Sequence, residues 1–139
     1  MIKVVARELG GTHCKIALYN HRGWFGNPYN QIEIINELPE LQLGMVYNFH
    51  HAHEYLDDFP EIVKSIKPYL IAVNLNGMSL EGQKIMSVGS GEYEKQMIQL
   101  LLEEGYHGPW GILGHVGERD VRKVVEENIR GLNSLSINN

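Results

Sequence analysis

Apolar positions along this chain alternate between two rhythms, one helical and one extended. Ile2, Val5, Ala6 and Leu9 recur at helical spacing, and Gly10-Gly11 closes that helix. Lys15 to Asn20 then reads as a short strand. Asn27-Pro28 offers a cap and a first position for a second helix. Its stripe of Ile32, Ile35 and Leu38 stops at Pro39. Gly44 to Phe49 is a second strand. A third helix opens near Asp58-Phe59-Pro60, buries Phe59, Ile62, Val63 and Ile66, and ends at Pro68. Tyr69 to Asn74 is a third strand, followed by a loop carrying Gly77, Gly82, Gly89 and Gly91. Tyr93, Met97, Leu100 and Leu101 mark a fourth helix ended by Gly105. Trp110 to Leu113 is the last strand, and Val121, Val124, Val125, Ile129 and Leu132 mark the last helix.

Strands that alternate with crossover helices predict a parallel sheet of the α/β class. Right-handed crossovers place the carboxyl ends of all the strands on one side. A (β/α)8 barrel needs about 250 residues. This chain of 139 residues therefore reads as one domain, 1–139, of four parallel β-α units resembling the C-terminal half of a TIM barrel. The opening helix takes the place of the tail of the fourth helix of such a barrel. Either the chain is truncated or two chains complete one another. A lone half would expose unpaired strand edges and apolar inner side chains. Self-association, or pairing with a missing N-terminal half, is the expectation.

Composition narrows the class. Apolar content of 43% and charged content of 21% are ordinary for a globular protein. No apolar run reaches the ~20 residues of a membrane span, and no signal peptide opens the chain. A single cysteine, Cys14, excludes an internal disulfide and fits a cytoplasmic location. The net charge of −5 argues against a nucleic-acid binder, which usually presents a basic face. A neutral or sugar-like ligand is easier to accommodate.

Seven histidines stand in the chain, and four of them follow strands: His21, His50, His51 and His115. Residues two apart on a strand share a face. Tyr19 with His21, Asn48 with His50, Asn74 with Asn76, and Leu113 with His115 are four such pairs. If the upper member of each points inward, His21, His50 and His115 approach a common axis with Asn76. Three imidazoles with an open position suit a divalent metal such as manganese or zinc; the alternative is that they bond backbone carbonyls or face solvent. The run Asn48-Phe49-His50-His51-Ala52-His53 offers a ligand, a general base and a supporting donor. Trp24, in Gly23-Trp24-Phe25-Gly26, offers an aromatic face for a sugar ring or a plug over the core. Asn74 and Asn76 need partners if they are buried. Glu92, Glu94 and Glu118 are candidate acids. Gly89-Ser90-Gly91-Glu92 lacks the lysine-bearing phosphate-loop motif and reads as a turn.

Four stretches carry a resemblance. Leu18-Tyr19-Asn20-His21-Arg22-Gly23-Trp24, Val46-Tyr47-Asn48-Phe49-His50-His51-Ala52-His53, Asn74-Leu75-Asn76-Gly77-Met78 and Gly105-Tyr106-His107-Gly108-Pro109 resemble the sugar phosphate isomerase/epimerase family. The resemblance implies a xylose isomerase-like TIM barrel, covered only over its second half. The superfamily also includes the type 2 apurinic endonucleases. Relatives hold one divalent metal, often manganese, with carboxylates and a histidine at strand ends, and move protons next to a sugar carbonyl. In this chain Tyr19 stands where relatives place a glutamate. Asn48 and His51 stand for an aspartate and the histidine three residues on. Asn74 stands for a histidine, and Leu113 lies near the final glutamate. His51 alone matches directly.

The expectation is a sugar isomerase- or epimerase-like protein. His51 and His21 would move the proton. Asn20, Trp24, Asn48 and Asn76 would bind substrate. His21, His50 and His115 would hold a metal displaced outward from the family positions. The alternative is a carbohydrate-binding or scaffold half-barrel that has lost the metal site.

Overall fold

The computed structural model describes residues 1–81, 85–114 and 116–137. Its elements run α1 (Ile2–Glu8), β1 (Ala17–Tyr19), α2 (Pro28–Glu37), β2 (Gly44–Asn48), α3 (Phe59–Ile66), β3 (Leu70–Leu75), α4 (Glu94–Glu103), β4 (Trp110–Ile112) and α5 (Val121–Ser134). Short 3₁₀ turns occupy Gly23–Gly26, Pro39–Leu41, Phe49–His51 and His53–Tyr55. The strands form one sheet in the order β1-β2-β3-β4, and every neighbouring pair is parallel. All carboxyl ends therefore lie along one rim.

The two faces of the sheet differ. One face carries Leu18, Met45, Tyr47, Val73 and Leu75, all buried in the core. Phe49, Phe59, Ile62, Val63 and Ile66 complete this layer between sheet and helices. Tyr47 and Phe59 rings lie 5.7 Å apart, and Phe49 meets Phe59 edge-on at 5.9 Å. Such pairs add about 1 kcal/mol each to their area burial. The opposite face is layered by the register. Tyr19, Val46 and Ala72 form one row, and Asn48, Asn74 and Gly111 the next. Tyr19 is 37% exposed, and Val46, Ala72 and Asn74 are half-buried. An alanine at Gly111 would press its Cβ on the Asn74 carboxamide oxygen, which would have to turn aside.

Local signals locate the elements well. Asn27 caps α2 by accepting from the Tyr29 amide, with Pro28 at the first position. The opening helix forms at Ile2–Glu8, with no residue buried and with Val4 and Val5 exposed. Two expectations need correction. The first strand is shorter than 15–20, because beyond Tyr19 the chain turns back and the His21 amide donates to the Phe25 carbonyl. Glu94 is not a rim acid; it is buried within the structure, as described below.

Candidate functional site

The chain leaves β1 and β2 through two tight turns, and these build a cleft of about 230 Å³. After β1, Gly23 takes a left-handed φ of 66° and starts the 3₁₀ turn Gly23–Gly26. Gly26 closes it so tightly that a Cβ would lie 2.6 Å from the His21 carbonyl oxygen. The first turns of α2 clamp this loop. Asn30 donates to the Trp24 carbonyl at 2.7 Å, and Gln31 to that of Phe25 at 2.9 Å. After β2, the Asn48 side chain accepts from the His50 amide at 3.1 Å and starts the turn Phe49–His51.

These turns gather the rim histidines. The His21 and His51 rings lie 4.4 Å apart, and those of His50 and His51 lie 4.6 Å apart. Tyr19 meets His51 edge-on at 6.1 Å. His53 also lines the cleft, with Nδ1 2.9 Å from the Ser79 carbonyl. Arg22, Glu54 and Tyr55 complete the polar lining. Burial holds the His51 pKa down to about 4, and the neighbouring His50, His21, Arg22 and His53 push in the same direction. Near neutral pH, His51 is therefore an uncharged imidazole able to accept a proton.

Of the residues singled out from the sequence, His21, His50 and His51 come together here. Trp24 sits on the Gly23–Gly26 turn, 55% exposed and edge-on to Phe25 at 5.2 Å, and is not among the residues lining the cleft. Asn20, Asn48 and Asn76 are buried beneath the rim. Asn20 clamps the two strand ends: it donates to the Asn48 carbonyl at 3.0 Å and accepts from the Asn48 amide at 2.6 Å. Asn48 in turn donates to the Tyr19 hydroxyl. Asn76 donates to the Gly77 carbonyl at 2.7 Å and accepts from the Met86 amide at 3.3 Å. His115 lies outside the described residues. Arg22, Glu54 and Tyr55 were missed by the sequence reading. The position of Arg22, directly after a rim histidine, was the available signal.

The donor set bears on the metal. Tyr19, Asn48 and Asn74 stand at the positions where the resemblance places ligands, and none carries a charge to balance a divalent ion. Both polar atoms of the Asn48 side chain are already engaged. Among the described residues no group of three His, Cys, Asp or Glu side chains is arranged to hold a metal. The residues at the family positions therefore do not fit a divalent cation.

The rim over β3 is built differently. The buried Glu94 carboxylate accepts from the Met78 amide at 2.9 Å, from Gly89 at 3.0 Å and from Gly91 at 2.7 Å. Asn128 of α5 accepts from the Val88 amide at 2.9 Å. The glycine-rich stretch is thus a folded turn whose amides point inward to Glu94.

No protein-family model matches the chain, and no curated protein sequence does either. Solved structures do. The chain is similar to the apo crystal structure of 3-keto-D-glucoside 4-epimerase, YcjR, from E. coli, at a TM-score of 0.74 and 14% identity. That match covers 96% of this chain and 50% of the epimerase. It is also similar to a D-tagatose 3-epimerase-like protein, at a TM-score of 0.68 and 20% identity, covering 96% of this chain and 52% of the other. The chain thus spans about half the length of these structures. With four parallel β-α units in sequential order, its fold is that of half a TIM barrel.

Proposed function

We propose that this chain moves a proton next to the carbonyl of a small carbohydrate, as an isomerase- or epimerase-like protein. The observation that carries the reading is the stack of His21, His51 and His50 at the carboxyl ends of β1 and β2. In this barrel architecture the carboxyl ends are where chemistry sits. His51, uncharged near neutrality, takes the proton from the carbon beside the carbonyl to leave an enediolate, and a proton is returned to the substrate through His21, whose ring centre lies 4.4 Å away. Trp24 stacks on the sugar. Asn20 and Asn48 act as positioning residues, since their amides are committed to the strand ends. No step here runs through a metal, because the donor set at the family positions does not fit one. The likeness in fold to two sugar epimerases supports the substrate class.

Deuterium exchange tests this. A ketose or 3-keto sugar incubated in D2O should gain deuterium beside its carbonyl with the wild-type chain, and lose most of that gain with His51→Gln. Equal exchange by both proteins, or none by either over a range of keto sugars, contradicts the reading.

The neutral Tyr19, Asn48 and Asn74 at the ligand positions favour a second reading, a half-barrel that binds carbohydrate without turnover. Saturable sugar binding with no exchange would establish it. The partner proposal follows from the exposed inner face: Tyr19, Val46 and Ala72 would be covered in a closed barrel by a second copy or by a complementary half. Light scattering on the 139-residue chain should then show more than a monomer. A stable monomer that stays unassociated as its concentration is raised contradicts self-association.

A further inference from the structure

Tyr19 ends β1 on the open face of the sheet and stands exposed there. Its hydroxyl reaches the next row toward the mouth, where the Asn48 carboxamide donates to it. The direction of that bond is settled by a second one. The Asn48 carboxamide oxygen accepts from the His50 amide at 3.1 Å, so the nitrogen is the atom turned to Tyr19. A carboxamide nitrogen can only donate, and the phenol oxygen therefore accepts and keeps its own proton to give. Tyr69 and Tyr106 differ: their hydroxyls donate to Asn36 at 3.1 Å and to the Pro109 carbonyl at 2.6 Å. Among the described residues the Tyr19 hydroxyl donates to no acceptor. It is also held in place, because Asn20 bonds both the amide and the carbonyl of Asn48 from the neighbouring strand end. The His51 ring meets the Tyr19 ring edge-on at 6.1 Å. A hydroxyl donor and an uncharged imidazole this close can engage neighbouring atoms of one small ligand. The rest of the row, Asn74 and Gly111, carries no charge.

We propose that the Tyr19 hydroxyl donates a hydrogen bond to the carbonyl oxygen of the ligand. Its catalytic consequence rests on the proton-transfer reading above. When His51 takes the proton beside the carbonyl, the C–H electron pair becomes a new carbon–carbon π bond, and the carbonyl π pair moves onto oxygen. Charge gathering on that oxygen is stabilised by a donor already aimed at it. The residues at these strand ends do not fit a divalent cation, and Tyr19 meets the oxygen with an O–H instead. The phenol keeps its proton throughout, and the carbon regains one through His21. Tyr19 is then a catalytic residue of the site.

Isotope-edited infrared spectroscopy reads the contact directly. The probe is methyl 3-keto-D-glucoside labelled at its carbonyl carbon, with EDTA present. Tyr19→Phe removes the hydroxyl and keeps the ring, so its amide NMR spectrum should match the wild type away from the rim. The labelled carbonyl stretch should drop in frequency on binding to the wild-type chain and return toward its free value in Tyr19→Phe. Deuterium wash-in should slow by about a hundredfold in that variant, the scale of one lost oxyanion donor. Binding should weaken by no more than about tenfold. A carbonyl stretch that is the same in both proteins overturns the proposal. So does a shift seen only when EDTA is left out, because a cation would then be the electrophile. A probe that binds neither protein overturns the proposal and the proton-transfer reading together. The two are otherwise separable. Wild-type wash-in that Tyr19→Phe leaves unchanged removes this inference alone. A stretch that depends on Tyr19, with no wash-in, removes the proton-transfer reading and leaves the hydrogen bond standing.

Discussion

The rims over β1–β2 and over β3 occupy equivalent places in the fold and use their polar groups in opposite ways. Over β3, the chain folds back on a buried carboxylate, and Glu94 takes the amides of Met78, Gly89 and Gly91. Over β1–β2, the amides are tied locally by Asn48 and the Gly23–Gly26 turn, and the side chains of His21, Arg22 and His51 line a cleft. A loop whose polar atoms are consumed by its own fold is architecture. A loop whose backbone is satisfied cheaply leaves its side chains available for a ligand.

Substitutions can break that comparison. Glu94→Gln should have the largest effect. The new amide nitrogen would face an N–H donor, at Met78 or at the Gly89–Gly91 pair, at a fully buried site. We expect a loss of about 3 kcal/mol in urea unfolding, with the β3 rim losing hydrogen-exchange protection first. Gly111→Ala should cost about 2 kcal/mol by pressing a methyl against the Asn74 carboxamide; an unchanged melting temperature would show that Asn74 moves aside freely. Asn20→Ala should cost about 1–2 kcal/mol, since it leaves the Asn48 amide and carbonyl without their partner. It should also disorder the histidine ring contacts, measurable as broadened ring resonances.

His51→Gln should have the smallest effect on stability near neutral pH, and its signature is pH dependence. The His51 pKa is about 4 in the folded chain and near 6.5 when unfolded. Between those values the unfolded chain binds more protons, so stability rises with pH through that window and falls on acidification. Denaturation of wild type and His51→Gln from pH 4 to 7 should show a shallower slope in the variant. Parallel slopes would mean that His51 is not held uncharged.

Much of this was legible in the sequence, and the limits have physical causes. The α2 cap at Asn27-Pro28 and the parallel alternation depend on neighbours a few residues apart, so pattern reveals them. The strand ends alone place His21, His50 and His51 past β1 and β2; parity gives no reason for His51, which the turn Phe49–His51 carries into the cleft. The Asn20–Asn48 clamp joins residues 28 apart in the chain, and only the parallel register of β1 and β2 brings them together. Asn20 therefore reads from sequence as a substrate contact when its amide is structural. Glu94 looked like a free acid because its three amides arrive only when the loop from Met78 folds back.

The central claim is that the β1–β2 rim is the mouth where ligand meets imidazole. Histidine-ring NMR during titration with a 3-keto sugar tests it most directly, because His13 and His107 precede β1 and β4 and lie at the opposite end of the strands. The account predicts saturable shifts at His21, His50 and His51 with His13 and His107 unmoved. Shifts confined to His13 or His107, or silence at all five rings, would contradict it.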